Sequence, residues 1–342
     1  MVKYFRGNTL RALFLLFTLL TTACGADEDD EDLGNWIKSP PFEGSARSGA
    51  FSFVIENTAY VGLGYGNDKE YFSDVYAYDL STGTWNKVGF FPGTARERAV
   101  SFSIDGMGYV GLGYNSKLDT EELADFWSFN PQTKEWKKLK DFPDGPRYNA
   151  IGFGSSKKGY VGGGFDGTDV KGDFYEYTPG TDTWTKIATN PGEKKEAGST
   201  FMINDKVYYF GGKTSSGGYS TDFWEFNPEA RTWTNKTPDD DEDYYDEFTA
   251  AVKRHDAVSF SRNGYGYIAT GVAGGSYTTS VYEYNPTNNE WVKKTAYENT
   301  ARIQAVAFVL GDRPFLGTGF NGSRRVDNMM EFKPFDEKTD DD

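Results

Sequence analysis

The segment Arg47–Gly64, R-S-G-A-F-S-F-V-I-E-N-T-A-Y-V-G-L-G, returns five more times along the chain. Its copies begin at Arg98, Arg147, Glu196, Arg254 and Arg302, and end at Gly113, Gly164, Gly212, Gly271 and Gly319. Behind each stands a Tyr/Phe-rich stretch: 75–78, 126–129, 174–177, 223–226, 281–284 and 329–332. Five of these lead to a tryptophan, Trp85, Trp136, Trp184, Trp233 and Trp291, at steps of 51, 48, 49 and 58 residues. A period near 50 residues means one supersecondary unit repeated, since a single unit cannot bury its apolar face alone. Within a unit, apolar and polar residues alternate at period two, as in Phe51, Phe53 and Ile55, between Gly, Asn-Pro and Thr-Gly turn signals. Four short strands fit each repeat, and no stretch inside the repeats sustains a 3.6-residue pattern. The expected class is all-β.

The sixth repeat has no tryptophan of its own; Met330–Phe335 runs into an acidic end. Trp36, however, stands 49 residues before Trp85. An N-terminal strand around Trp36 would complete the last four-stranded blade and close the ring, which removes the unpaired edges of an open stack. The expected architecture is a six-bladed β-propeller over residues 35–336. Over this span the sequence resembles the kelch family. The family's diglycine stands as Gly211-Gly212 and Gly162-Gly-Gly164 and relaxes elsewhere to Gly-Leu-Gly or Gly-Thr-Gly, beside the aromatic pair and the spaced tryptophan. No Gly-His and no Trp-Asp marks the repeats, which argues against WD40. The family is functionally mixed, so the resemblance fixes fold more than function.

Ahead of the repeats, residues 1–23 read as a signal peptide: Lys3, Arg6 and Arg11, a short apolar run, then small residues. Leu20-Thr-Thr-Ala-Cys24 resembles the bacterial lipobox, with Thr21 where leucine is preferred. Cys24, the sole cysteine, would then be the lipid anchor, and the alternative is a secretory signal with an incidental cysteine. Residues 24–34 form a tether with six consecutive acids, which resembles the acidic export tag of surface lipoproteins in Gram-negative bacteria. The expected location is the outer membrane, facing the surface and held by lipid alone. Removing residues 1–23 leaves 33 basic against 51 acidic residues, a formal charge of −18, which argues against nucleic acid as a partner. With one cysteine there is no disulfide framework. Packing must therefore rest on the chain's 17% aromatic residues. Residues 337–342 are an acidic tail, and the expected state is a monomer.

By resemblance, the residue opening the innermost strand of each blade lines the mouth of the central channel. Here that row reads Arg47, Arg98, Arg147, Glu196, Arg254 and Arg302. Two readings stand. The five arginines form a ring for an anionic ligand, or each is a repeat residue paired with the acid before the Tyr/Phe strand: Asp74, Asp125, Asp173, Asp222 and Asp327. The repeat stretched to 58 residues carries an insert, Pro238–Val252 with seven acids, expected either to overhang the mouth or to be an idle loop. His255, the sole histidine, follows it and reads as an ordinary polar residue.

Copper radical oxidase chemistry, known among kelch propellers, is excluded. It needs two histidines and a tyrosine crosslinked to a cysteine, and the one cysteine here lies upstream of the fold. Zinc sites of His/Cys type fail likewise, and the sequence implies no metal or cofactor. Two functions remain. One is a non-catalytic module that binds a glycan or protein ligand at the mouth. The other is a sugar-acid mutarotase, since sialic-acid epimerases resemble this fold; Glu196 would then be the general base and an arginine the carboxylate anchor.

Overall fold

The structure is a computed structural model that describes Met1, residues 33–155 and residues 157–339. The signal peptide, Cys24 and nearly all of the tether lie outside the described residues, as do the last three residues of the acidic tail. Among the described residues no helix is long and apolar enough to cross a membrane.

Six four-stranded antiparallel sheets follow the six repeats. The first blade is Phe51–Ile55, Thr58–Gly62, Asp74–Asp79 and Thr84–Phe90, ordered from the channel outward. Blades two to five repeat this order from Val100, Ile151, Ser199 and Val258. The sixth combines Val306–Leu310, Arg313–Gly317 and Met329–Lys333 with the N-terminal strand Asn35–Ser39 on its outer edge. Trp36 faces Phe332 across that pair. It stacks on Phe332 at 4.5 Å and meets Tyr297 edge-on at 4.8 Å. Trp85 and Trp136 hold the same places, against Tyr78 and Phe42 and against Phe129 and Phe91. The strand around Trp36 therefore closes the ring as the sequence predicts.

Backbone hydrogen bonds lace the blades together in a circle. The second residue of each glycine pair donates to the carbonyl of the next blade's basic residue: Gly64 to Arg96, Gly113 to Arg147, Gly164 to Lys195, Gly212 to Arg254, Gly271 to Arg302, and Gly319 back to Arg47, at 2.7–3.0 Å. At this position φ lies between 91 and 110°, and a Cβ would meet a backbone carbonyl oxygen within 2.6–2.8 Å. Only glycine fits there. The residue before it shares a positive φ and is Leu63, Leu112, Thr270 or Thr318 in four repeats, so the diglycine relaxes at its first position alone, although at Gly163 and Gly211 a Cβ would lie 2.7–2.8 Å from the next blade's carbonyl. Inner-strand hydroxyls add rungs between neighbours: Ser101 Oγ donates to the Ser52 carbonyl at 2.8 Å and Ser259 Oγ to that of Thr200 at 2.8 Å. The channel wall is thus polar, while the aromatic cores lie between blades.

The insert departs from expectation. Its second half is a helix, Tyr245–Val252, whose Phe248, Ala251 and Val252 are buried against Phe223, Tyr284 and Trp291 of blades four and five. In the repeats that begin blades one to three, a phenylalanine five residues before the basic residue fills the gap between blades, and its ring carries the guanidinium: Phe42 under Arg47, Phe91 under Arg96, Phe142 under Arg147. The corresponding residue before Arg254 is Thr249, and Phe248 of the helix packs the gap instead. The helix is a wedge in the core. Its acidic lead lies beside the outer strand of blade five, where Asp239, Glu242 and Glu290 all act on Tyr244.

Candidate functional site at the channel mouth

Just before each inner strand, four consecutive positions have four different tasks. At the first, Arg47, Arg96, Arg147, Lys195, Arg254 and Arg302 are buried to 1% exposure or less. Each arginine donates through Nη1 to the carbonyl 16 residues on, at 2.9–3.2 Å. Arg47 then pairs with Asp74 at 2.7 Å, Arg96 with Asp125 at 2.5 Å and Arg147 with Asp173 at 2.8 Å, and Lys195 pairs with Asp222. Arg302 uses the Asn328 side chain at 2.8 Å in place of the expected Asp327. Arg254 has no acid: it binds the Ser280 carbonyl and hydroxyl, and at 2.7 Å the Ala250 carbonyl in the last turn of the inserted helix. That helix end carries partial negative charge, which stands in for the missing carboxylate.

The expected ring of mouth arginines is therefore corrected. Arg47, Arg147, Arg254 and Arg302 turn into their own blades and are structural. A charge buried this deeply needs its partner close by, and the repeat supplies one each time. In the second repeat the equivalent residue is Arg96, and in the fourth it is Lys195. Arg98 and Glu196 therefore stand two and one positions further along, in the part of the segment that does face the opening.

The third position is the channel row: Gly49, Arg98, Asn149, Ala197, Asp256 and Gln304. All six have φ between 51 and 64°. Arg98 N donates to the Gly49 carbonyl, Ala197 to Asn149, Asp256 to Ala197, Gln304 to Asp256 and Gly49 to Gln304, at 2.8–3.1 Å, so backbone hydrogen bonds link five of the six neighbouring pairs in this row. The fourth position is small throughout: Ala50, Ala99, Ala150, Gly198, Ala257 and Ala305. Together these two rows enclose a neck chamber of about 140 Å³. The second position, Ser48, Glu97, Tyr148, Glu196, His255 and Ile303, pairs with the loop hairpins above the neck. Those hairpins bring half-buried Tyr65, Tyr71, Tyr114, Phe165, Tyr219, Tyr277 and Phe320 to the mouth.

Most charges here are committed to one another. Asp256 accepts from Gln304 Nε2 at 3.2 Å and lies 2.6 Å from His255 Nδ1, whose ring stacks on Tyr219. Burial would raise the Asp256 carboxyl, but the His255 hydrogen bond and the Arg98 charge hold it below the usual range. Glu196 accepts from Asn149 Nδ2 at 2.7 Å. Arg325 lies between Tyr65 and Phe320, with Nε on the Ser48 hydroxyl at 3.3 Å. Arg98 and Glu97 differ. Arg98 is 28% exposed, makes one long hydrogen bond to Asn149 Oδ1 at 3.4 Å, and its Nε has no hydrogen-bond partner. Glu97 Oε2 lies 3.9 Å from that Nε, and among the described residues no hydrogen bond reaches this carboxylate, although its side chain is only 10% exposed. Burial pushes the Glu97 carboxyl upward, Arg98 and Arg325 work against the rise, and Asp256 adds to it.

Of the residues named from sequence, Arg98 and Glu196 are at the mouth, and the structure adds Glu97, Asp256, Arg325 and the aromatic collar. A larger cavity of about 530 Å³ lies at the opposite ends of blades three and four. Its buried Glu176 is held by Arg231 at 2.8 Å and Lys158 at 3.1 Å, a structural arrangement. Among the described residues no three His, Cys, Asp or Glu side chains gather as a group able to hold a metal.

Two family models cover nearly all of the ring. The kelch-repeats domain of KLHDC2, KLHL20 and DRC7 matches residues 35–202, and the attractin/LZTR1 β-propeller matches residues 159–308. The N-acetylneuraminate epimerase of Pasteurella multocida (strain Pm70) is 37% identical over 91 residues, 25% of this chain and 24% of that protein. Kelch-like protein 21 of Rattus norvegicus is 32% identical over 92 residues, 26% of this chain and 15% of that protein. The matches thus span about a quarter or less of these relatives. The solved structure of YjhT superposes with a TM-score of 0.71 at 18% identity, over 85% of this chain and 95% of that one, a likeness of fold. Repeats, glycine frame, blade topology and family models agree that the chain is a kelch-type β-propeller.

Proposed function

We propose that this propeller is a non-catalytic binding module whose mouth takes a glycan bearing a carboxylate, the acid resting on Arg98 and the sugar on the aromatic collar. The observation that carries the reading is Arg98 itself: a guanidinium at the neck that is 28% exposed and makes one long hydrogen bond, where the repeat's own cations are buried on partners in their blades. Such a group seeks a carboxylate, and a charge-assisted hydrogen bond contributes about 1.5–3 kcal/mol. Isothermal titration of residues 34–342 with N-acetylneuraminate, D-glucuronate and their neutral counterparts tests this. The acids should bind, and Arg98→Ala should weaken them roughly 10- to 100-fold, the equivalent of that energy. Equal binding of neutral sugars, or an unchanged Arg98→Ala protein, overturns the reading.

A second reading, a sugar-acid mutarotase, is favoured by one feature: a buried carboxylate without hydrogen bonds, Glu97, directly beside that guanidinium. Such a group suits general base work better than Glu196, whose oxygen is already engaged. Proton NMR of anomer equilibration decides, with Glu97→Gln and Glu196→Gln compared. We further propose that Cys24 carries a lipid anchor to the outer membrane. Cys24→Ser should then move the protein from the membrane to the soluble fraction, and unchanged fractionation counts against it.

A further inference from the structure

We infer that Glu97 is a specificity-determining residue of the mouth, taking up a proton when a carboxylate settles on Arg98, so that the ligand enters as an anion accompanied by one proton. This rests on the binding reading above and adds its linkage to pH.

The geometry sets two carboxylates against one guanidinium. Glu97 Oε2 is 3.9 Å from Arg98 Nε, which is buried and has no hydrogen-bond partner, while the Arg98 side chain as a whole is 28% exposed. A ligand acid that settles on the exposed part of this guanidinium lies within several ångströms of Glu97. The groups around Glu97 give it nothing to fall back on. Gly49 of blade one closes one side, close enough that a Cβ there would lie 3.0 Å from Oε2. Tyr114 is its backbone bridge partner. The charged groups that act on it are Arg98, Arg325 from the sixth repeat, and Asp256, which is itself bound to His255 and Gln304. Glu97 and Asp256 already match Arg98 and Arg325 in charge, and Glu196 on Asn149 adds a further negative charge at the mouth. One more anion beside Glu97 adds to the negative side, and two carboxylates sharing a site do not both stay ionised.

Glu97 is the member that yields. Asp256 accepts hydrogen bonds that favour its ionised form and Glu196 is engaged by Asn149, whereas Glu97 accepts none, and burial already favours its neutral form. Protonated, it becomes a donor that can reach a ligand oxygen, so the mouth prefers acids with an acceptor beside the carboxylate. The sign follows. Glu97 is protonated in advance at low pH, where binding is tightest. Affinity falls as pH rises through its free-protein value, by up to about tenfold per pH unit for one proton, and levels off above its value in the complex.

The test is isothermal titration of residues 34–342 with N-acetylneuraminate and D-glucuronate between pH 5 and 8, in paired buffers of different ionisation heat. Wild-type protein should take up as much as one proton per ligand and bind more weakly at pH 8 than at pH 5. Glu97→Gln, which keeps the shape and loses no hydrogen bond, should bind with little pH dependence and more tightly than wild type at pH 8. His255→Asn, which removes the imidazole beside Asp256, should retain the wild-type slope. Binding with no proton uptake, or a slope that survives in Glu97→Gln, overturns the inference and leaves the binding site standing. No binding of either acid at any pH overturns both. The buffer comparison on wild type needs no variant, so a poorly folding Glu97→Gln does not remove the test.

Discussion

Arg147 and Arg98 have the same side chain on neighbouring blades, and the structure assigns them opposite tasks, so replacing each by leucine tests the whole account. Arg147 is fully buried over the Phe142 ring, 2.6 Å from Asp144, 2.8 Å from Asp173 and 3.1 Å from the Gly163 carbonyl. Arg147→Leu leaves Asp173, whose side chain is 13% exposed, and a buried carbonyl without their partner. Breaking a buried ion pair from one side costs about 3–5 kcal/mol. Unfolding entropy near 2.1 cal/mol/K per residue over roughly 300 residues makes that a fall of about 5–8 °C in Tm. Arg98→Leu removes one 3.4 Å hydrogen bond and a 3.9 Å ion pair from a partly exposed side chain, and should cost no more than about 1 kcal/mol. Urea unfolding followed by tryptophan fluorescence, with thermal melts beside it, measures both. Replacing Asp173 by leucine as well should recover part of the loss, since an apolar pair is often no worse than a buried ionic one. Equal losses for the two arginines, or the larger loss at Arg98, would refute the division between blade residue and mouth residue.

Gly319→Ala should destabilise by about 1–3 kcal/mol in the same urea assay, the cost of one strained backbone position, because its Cβ would lie 2.8 Å from the Ile303 carbonyl at a φ of 96° and disturb the bond that returns to Arg47. Phe248→Ala should cost about 3–5 kcal/mol as a core truncation, where an idle loop would lose nothing measurable. Deleting residues 33–39 should strip the outer strand from blade six and yield aggregates by light scattering, while a monomer with unchanged Tm would refute closure by that strand. Acid should unfold the protein in a definite window. Burial alone would raise the carboxyls of Asp125, Asp173, Glu176 and Glu331, but hydrogen bonds and charge from Arg96, Arg147, Arg231 and Arg313 hold all four below their ordinary values. Their contribution is complete above the unfolded carboxyl range near pH 4 and is lost as pH falls through the folded values. Circular dichroism from pH 7 to 2 should show stability falling on that side.

The fold was legible because its rules are repetitive and local. Period-two patterning, turn residues and the spacing of the tryptophans each point to the same four-stranded unit, and Trp36 is readable as the missing sixth. The wedge helix was less legible because acids dominate its segment, yet Phe248, Ala251 and Val252 stand at i, i+3 and i+4, one helical face. The site was misread by two residues in one repeat and by one in another. Repeat two offers both Arg96 and Arg98, and an arginine makes a poor ruler when two lie in reach. The glycine pair is the better ruler, since a Cβ at its second position has no space and that position cannot drift. Counting 16 residues back from the residue before that glycine lands on Arg47, Arg96, Arg147, Lys195, Arg254 and Arg302 without ambiguity.

That ruler also bears on where the proposed ligand recognition would fall. A buried cation repeated in every blade is repeated together with its partner: Asp74, Asp125, Asp173 and Asp222, with Asn328 and the end of a helix where the carboxylate is absent. Its binding capacity is used up inside the fold, so the more regular an arginine is in such a chain, the less it can offer a ligand. The channel row is under a different constraint. Its backbone must hold a positive φ, and glycine, arginine, asparagine, alanine, aspartate and glutamine all meet that demand here. Side chains in this row vary from blade to blade and form no repeated pair with a carboxylate of their own blade. Arg98, with Glu97 beside it, belongs to no repeating pair, and that irregularity is the physical reason for proposing the ligand site there.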